Sequence, residues 1–170
     1  MTAENDDTRY LRAELMMRMV VQNVVVTANA LLFLPVAALI IGGVGAAAAM
    51  ACAYTVTVAI LAAIWCHHGA RQAQIKRYLL LVERKRGVAE SWEQWLPRHP
   101  VGGRLGARWV ISTKIPFIAT TTSTALLGLS FDTTPWAIGL TIANTIGVAI
   151  TALLLWTNPK EGLDSGDGRD

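Results

Sequence analysis

Apolar residues gather along this chain into four long runs, 19–41, 44–66, 109–131 and 136–156, separated by short polar or charged stretches. Each run is about 21–23 residues, the length at which a helix rising about 1.5 Å per residue crosses about 30 Å of hydrocarbon. The pattern predicts an all-α polytopic membrane protein whose four transmembrane helices form two hairpins, 19–66 and 109–156. In the cytoplasmic N-terminal segment 1–18, a helix over 7–18, capped by Asp6 or Asp7, is expected to run straight into the first span. Between the hairpins, 67–108 is predicted to be a cytoplasmic helical segment. Ile75, Tyr78, Leu79 and Val82 recur there at i, i+3, i+4 and i+7, an amphipathic helix that Gly87 ends. A second short helix over 89–96 sets Trp92, Trp95 and Leu96 on one face before Pro97 and Pro100 stop it. That face reads either as an anchor lying on lipid headgroups or as a docking face for another subunit or a cytoplasmic protein partner. The tail, 157–170, turns Gly- and Asp-rich after Asn158-Pro159 and is expected to be disordered.

Composition agrees with the pattern. Hydrophobic residues make up 53% of the chain and charged residues 16%, outside the range of a soluble domain. The formal charge is only +3, and its placement matters more than its size. Arg9, Arg12 and Arg18 precede the first span, a run of bases from Arg71 to Arg108 lies between the hairpins, and Lys160 and Arg169 are in the tail. The Gly42-Gly43 turn has no base, and the turn at 132–135 has only Asp132. By the positive-inside rule both termini and the central segment face the cytoplasm, in a multi-pass protein of the cytoplasmic membrane. The Arg- and Ala-rich composition suggests a bacterial source. The bases flank apolar spans, so their expected partner is the lipid bilayer and not nucleic acid. Acidic residues before the first span, and its length, argue that this span is retained and not cleaved as a leader. Trp65, Trp109, Trp136 and Trp156 are placed at span ends, where interfacial tryptophans sit.

Polar groups inside the spans are the candidate functional positions, because hydrocarbon makes them costly unless paired. These are Gln22, Asn23 and Asn29 on span one, Lys114 on span three and Asn144 on span four. Asn29 and Asn144 fall at similar depth, so a hydrogen bond between them is one expectation. Lys114 reads equally as a side chain snorkelling to the headgroups and as part of a working site. Pro116 is expected to kink span three and free carbonyls that the nearby run of Thr and Ser hydroxyls can meet. Gly139, Ala143 and Gly147 form a small-residue stripe at four-residue spacing, suited to close helix packing. Cys66-His67-His68 is read as a cap on span two, since neighbours on a helix point about 100° apart and chelate poorly together. No metal, cofactor or catalytic set is assigned. Membrane hydrolases and metalloenzymes need acids or His-rich clusters that the spans lack.

Tyr10-Leu11-Arg12-Ala13-Glu14, Trp65 with His67, Tyr78-Leu79, Trp92-Glu93 with Trp95-Leu96, and Arg108-Trp109 with Ile111-Ser112-Thr113-Lys114 carry a resemblance to a family of uncharacterised bacterial integral membrane proteins. The resemblance implies a four-span architecture and no particular activity. The leading functional expectation is a non-enzymatic, self-associating scaffold or membrane effector. The alternative is a small channel or transporter whose path is lined by Lys114 and the Thr-rich third span.

Overall fold

The computed structural model describes residues 3–43, 46–85, 105–132 and 134–156, and among these the protein is entirely helical. The four helices are α1 (Ala3–Ile41), α2 (Ala47–Lys85), α3 (Leu105–Phe131) and α4 (Pro135–Trp156). The predicted helix at 89–96, with Trp92, Trp95 and Leu96, lies outside the described residues, as does the tail. Three segments are long and apolar enough to cross a membrane: Thr8–Ile41, Ala47–Val82 and Pro135–Trp156. α3 is long enough at 27 residues, but Lys114, Pro116 and its hydroxyl run lower its hydropathy, and it is not one of the three.

The turns follow from local chemistry. Gly43 takes φ +68°, the left-handed conformation that ends a helix and that side chains resist. Gly42 N donates to the Ala38 carbonyl at 2.8 Å and Gly43 N to that of Ile40 at 3.1 Å, satisfying the end of α1. Pro135 occupies the first position of α4, where its missing N–H costs nothing.

α2 is the centre of the bundle. It packs against α1, α3 and α4, and α3 also touches α1 and α4. Among the described residues α1 and α4 do not touch. The buried face of α2 runs Ala51, Thr55, Val58, Ala62, Trp65, Gly69 and Gln72, alternating steps of four and three. That period holds one face against its neighbours along the whole helix. Gly128 and Gly147 let α3 and α4 approach this face. A Cβ at Gly128 would lie 2.7 Å from the Ala51 Cβ, and one at Gly147 would lie 2.5 Å from the Thr55 Cγ2.

The bundle sets polar groups among an apolar core of Val25, Tyr54, Val58, Ala62, Trp65, Phe117 and Leu155, and turns large apolar side chains outward. On α4, Ile138, Ile142, Ile146 and Ile150 are exposed, whereas Ala137, Asn144, Thr151 and Leu155 are buried. α3 behaves alike, with Ile115, Leu126 and Leu129 outward and Lys114, Phe117, Thr121 and Thr124 inward. This is the distribution expected of helices solvated by hydrocarbon.

α1 and α2, with 39 residues each, measure about 58 Å and outrun about 30 Å of hydrocarbon by far. Their surplus halves pair with each other. Leu15, Ile75 and Leu79 form a small apolar core with Leu11 packed against it. The amphipathic pattern read at 75–82 thus buries Ile75 and Leu79 against α1 and leaves Tyr78 53% exposed.

Candidate functional site

The buried polar groups form rungs between helices. Closest to the α1–α2 extension, Arg18 donates from Nε to Glu14 at 2.9 Å, and its Nη1 lies 3.3 Å from His68 Nδ1. One turn further in, Gln22 Nε2 donates to the Trp65 carbonyl at 2.8 Å, and Gln72 Nε2 donates to Gln22 Oε1 at 2.9 Å. Deeper still, Asn29 Nδ2 donates to Thr120 Oγ1 at 3.1 Å, and the Tyr54 hydroxyl donates to Asn29 Oδ1 at 3.1 Å. On the other flank of α2, the Thr55 hydroxyl bonds Asn144 Oδ1. An amide buried in this way needs a partner, because neither lipid nor its own helix supplies one.

Several expectations are corrected here. Asn29 and Asn144 do not bond each other. α2 stands between the helices that carry them, and each amide is met by a different α2 residue, Tyr54 or Thr55. Trp65 does not present its ring to headgroups: it is 1% exposed and its ring lies 6.4 Å, centroid to centroid, from that of Phe117. α2 continues past this point, as the amphipathic repeat at 75–82 predicts, and Trp65 falls where α1 and α3 cover α2. Trp136 and Trp156 are exposed, at 49% and 83%. The side chain of Trp109 lies outside the described residues.

On α3 the hydroxyls of Thr120, Thr121 and Thr124 bond carbonyls at and after Pro116. Thr120 donates to the Pro116 carbonyl at 2.7 Å and Thr124 to that of Thr120 at 2.8 Å, while Thr121 bonds the Phe117 carbonyl. Lys114 is buried at 8% exposed, one turn from Phe117 on the same face. Asn23 points outward, away from Gln22. The small-residue stripe divides. Gly147 packs on Thr55, whereas Gly139 has open space around it and Ala143 is exposed. The reason is rotational, since a strict four-residue step advances about 40° per step around a helix and the inward face of α4 follows a seven-residue repeat instead.

Cys66 donates from Sγ to the Leu154 carbonyl at 3.3 Å. Among the described residues no group of three His, Cys, Asp or Glu side chains gathers as a metal site. Asp132 organises the turn that precedes α4. Its carboxylate accepts from Thr134 N at 3.2 Å and from the Thr134 hydroxyl, and the Ala48 backbone N–H also reaches it. The Thr134 hydroxyl is the main reason that this carboxyl is held below the ordinary range.

Tyr54, Thr55, Gln72 and Gly128 were not singled out from the sequence. Tyr54 had a signal, a phenol in the middle of an apolar run that requires a hydrogen-bond partner. Gly128 had none. Comparisons with known protein families, with curated proteins and with solved structures return no match for this chain.

Proposed function

We propose that this chain is a non-enzymatic integral membrane component that works by assembly. In this reading α3 is a fourth span, the helices form two transmembrane hairpins, and both termini and the central segment face the cytoplasm of a bacterial cell. The extension of α1 and α2 then stands as a stalk on the cytoplasmic side, where a soluble protein partner can dock. One observation supports the reading: Gln22, Asn29, Tyr54 and Gln72 in the bundle interior are bonded to one another's helices, as structural cross-links are.

Two measurements test it. Reconstituted protein is expected to give liposomes no more ion flux than empty vesicles, and sustained conductance would refute the scaffold. Gly43→Cys and Thr133→Cys are expected to react with an impermeant thiol reagent outside spheroplasts, and Arg86→Cys not. Labelling at Arg86→Cys would reverse the topology.

A second reading, a small channel or transporter, draws on the burial of Lys114 beside the Thr-rich face of α3. A lysine at this depth is costly and commonly functional. Lys114→Gln at matched expression separates the readings. Lost flux with intact folding supports a path, and unchanged behaviour reduces Lys114 to an anchor.

A further inference from the structure

Val20, Asn23, Val24, Thr27, Ala28 and Leu31 line a shallow hollow of about 340 Å³ on the outward face of α1. Val20, Val24 and Leu31 are 61%, 59% and 65% exposed. Asn23 and Thr27 are exposed too, and neither makes a hydrogen bond among the described residues. Asn23 is unlike the other carboxamides of the bundle: Gln22, Asn29, Gln72 and Asn144 are all buried and bonded. The carbonyls of its own helix are already engaged, and hydrocarbon offers the amide nothing.

The spacing of the hollow matches a helix-packing seam. Val20, Val24, Thr27 and Leu31 are separated by four, three and four residues, the 3.5-residue period of a coiled-coil seam. A knob at position 24 of a facing parallel helix enters a hole made by residues 20, 23, 24 and 27. The next knob, at 27, enters a hole made by 24, 27, 28 and 31. The two holes together comprise the same six residues that line the hollow.

The seam also continues where lipid tails do not reach. The same alternation passes back through Met17 and Ala13 to Tyr10, beyond the Arg18–Glu14 ion pair, and Met17 and Tyr10 are 69% and 71% exposed. Tails can cover the intramembrane half of this stripe, but another helix can follow it through both media. Two copies of one chain in a bilayer share an orientation, so their α1 helices meet in parallel about a two-fold axis and like faces like. A carboxamide is donor and acceptor at once, and Asn23 then lies beside the Val24–Thr27 layer of its partner, where both capacities can be met.

We propose that α1 is a homodimer interface, pairing in parallel with α1 of a second copy through this seam. The inference rests on the reading of the chain as an assembling membrane protein and assigns the face by which it assembles. The test uses the full chain with Cys52 and Cys66 replaced by Ala and single cysteines introduced one at a time, oxidised in native membranes. Val24→Cys and Thr27→Cys are expected to yield about tenfold more disulfide-linked dimer than Leu32→Cys, which is exposed on α1 but off the seam. Equal yields at the three positions overturn the proposal. If dimers then form instead at Ala143→Cys on α4, assembly stands but uses another face. If no position links and the particle in lipid nanodiscs has the mass of one chain, assembly itself fails. Linkage of Val24→Cys to a different protein overturns the second copy as the occupant.

Discussion

The bundle and the α1–α2 extension share two helices and differ in their interiors: both bury apolar side chains, and the bundle adds bonded polar groups among them. Within the bundle, α1 turns Gln22, Val25 and Asn29 inward and Val24 and Leu31 outward. In the extension it turns Leu15 inward against Ile75 and Leu79, while Arg12, Arg71, Gln74 and Arg77 are exposed. The change falls within about two turns, at the rungs formed by Arg18 with His68 and Gln22 with Gln72. A helix face is therefore not intrinsically core or surface. In water, apolar burial holds two helices together. In hydrocarbon that force vanishes, and close packing and interhelical hydrogen bonds take its place.

If this contrast is right, the two regions break in different ways. Leu15→Ala should cost the extension about 2–5 kcal/mol, the range for emptying an apolar core site. Hydrogen exchange should then rise across 8–18 and 70–82 while 46–62 keeps its protection. Uniform loss would mean that the two regions fold as one unit.

In the bundle the largest effect is expected from shape. Gly147→Leu puts a side chain where Thr55 Cγ2 already lies, and overpacking should destabilise by about 1–3 kcal/mol. Gly139→Leu, with open space around it, should leave thermal stability in detergent nearly unchanged. The pair sharpens the contrast because one stripe gives two outcomes.

Hydrogen bonds follow. Tyr54→Phe removes the donor to Asn29 and should cost about 0.6–1.7 kcal/mol, the span measured for interhelical bonds in membranes. A cost near 3 kcal/mol would show that the rung network is far stronger than a set of separate bonds.

The smallest effect lies at the opposite end of the bundle, in the exposed α3–α4 turn. The Asp132 carboxyl is held below its ordinary range, chiefly by the Thr134 hydroxyl. A depressed folded value means that its contribution is present above the unfolded pKa and is lost as pH falls through the folded one. Its titration, followed by NMR, should move upward in Thr134→Ala. An unmoved midpoint would assign the depression to the backbone N–H groups instead.

Hydropathy, length and charge placement in the sequence determined the long apolar helices, the glycine turn after Ile41 and the start of α4 at Pro135. These are local properties, fixed by how a segment partitions between water and hydrocarbon and by the φ angles that Gly and Pro allow. The amphipathic repeat of Ile75 and Leu79 was legible for a related reason: water gives an apolar face a signal. Inside the bilayer lipid is as apolar as Leu, so the same pattern says nothing about which face turns inward. Only the tertiary structure decided that α2 sits at the centre, that Trp65 is buried, that Asn29 and Asn144 answer to Tyr54 and Thr55, and that Gly128 and Gly147 pack while Gly139 does not. Each depends on the rotation of one helix against another, and that is set by the few small or polar residues that meet across an interface and by the neighbours that packing gives them.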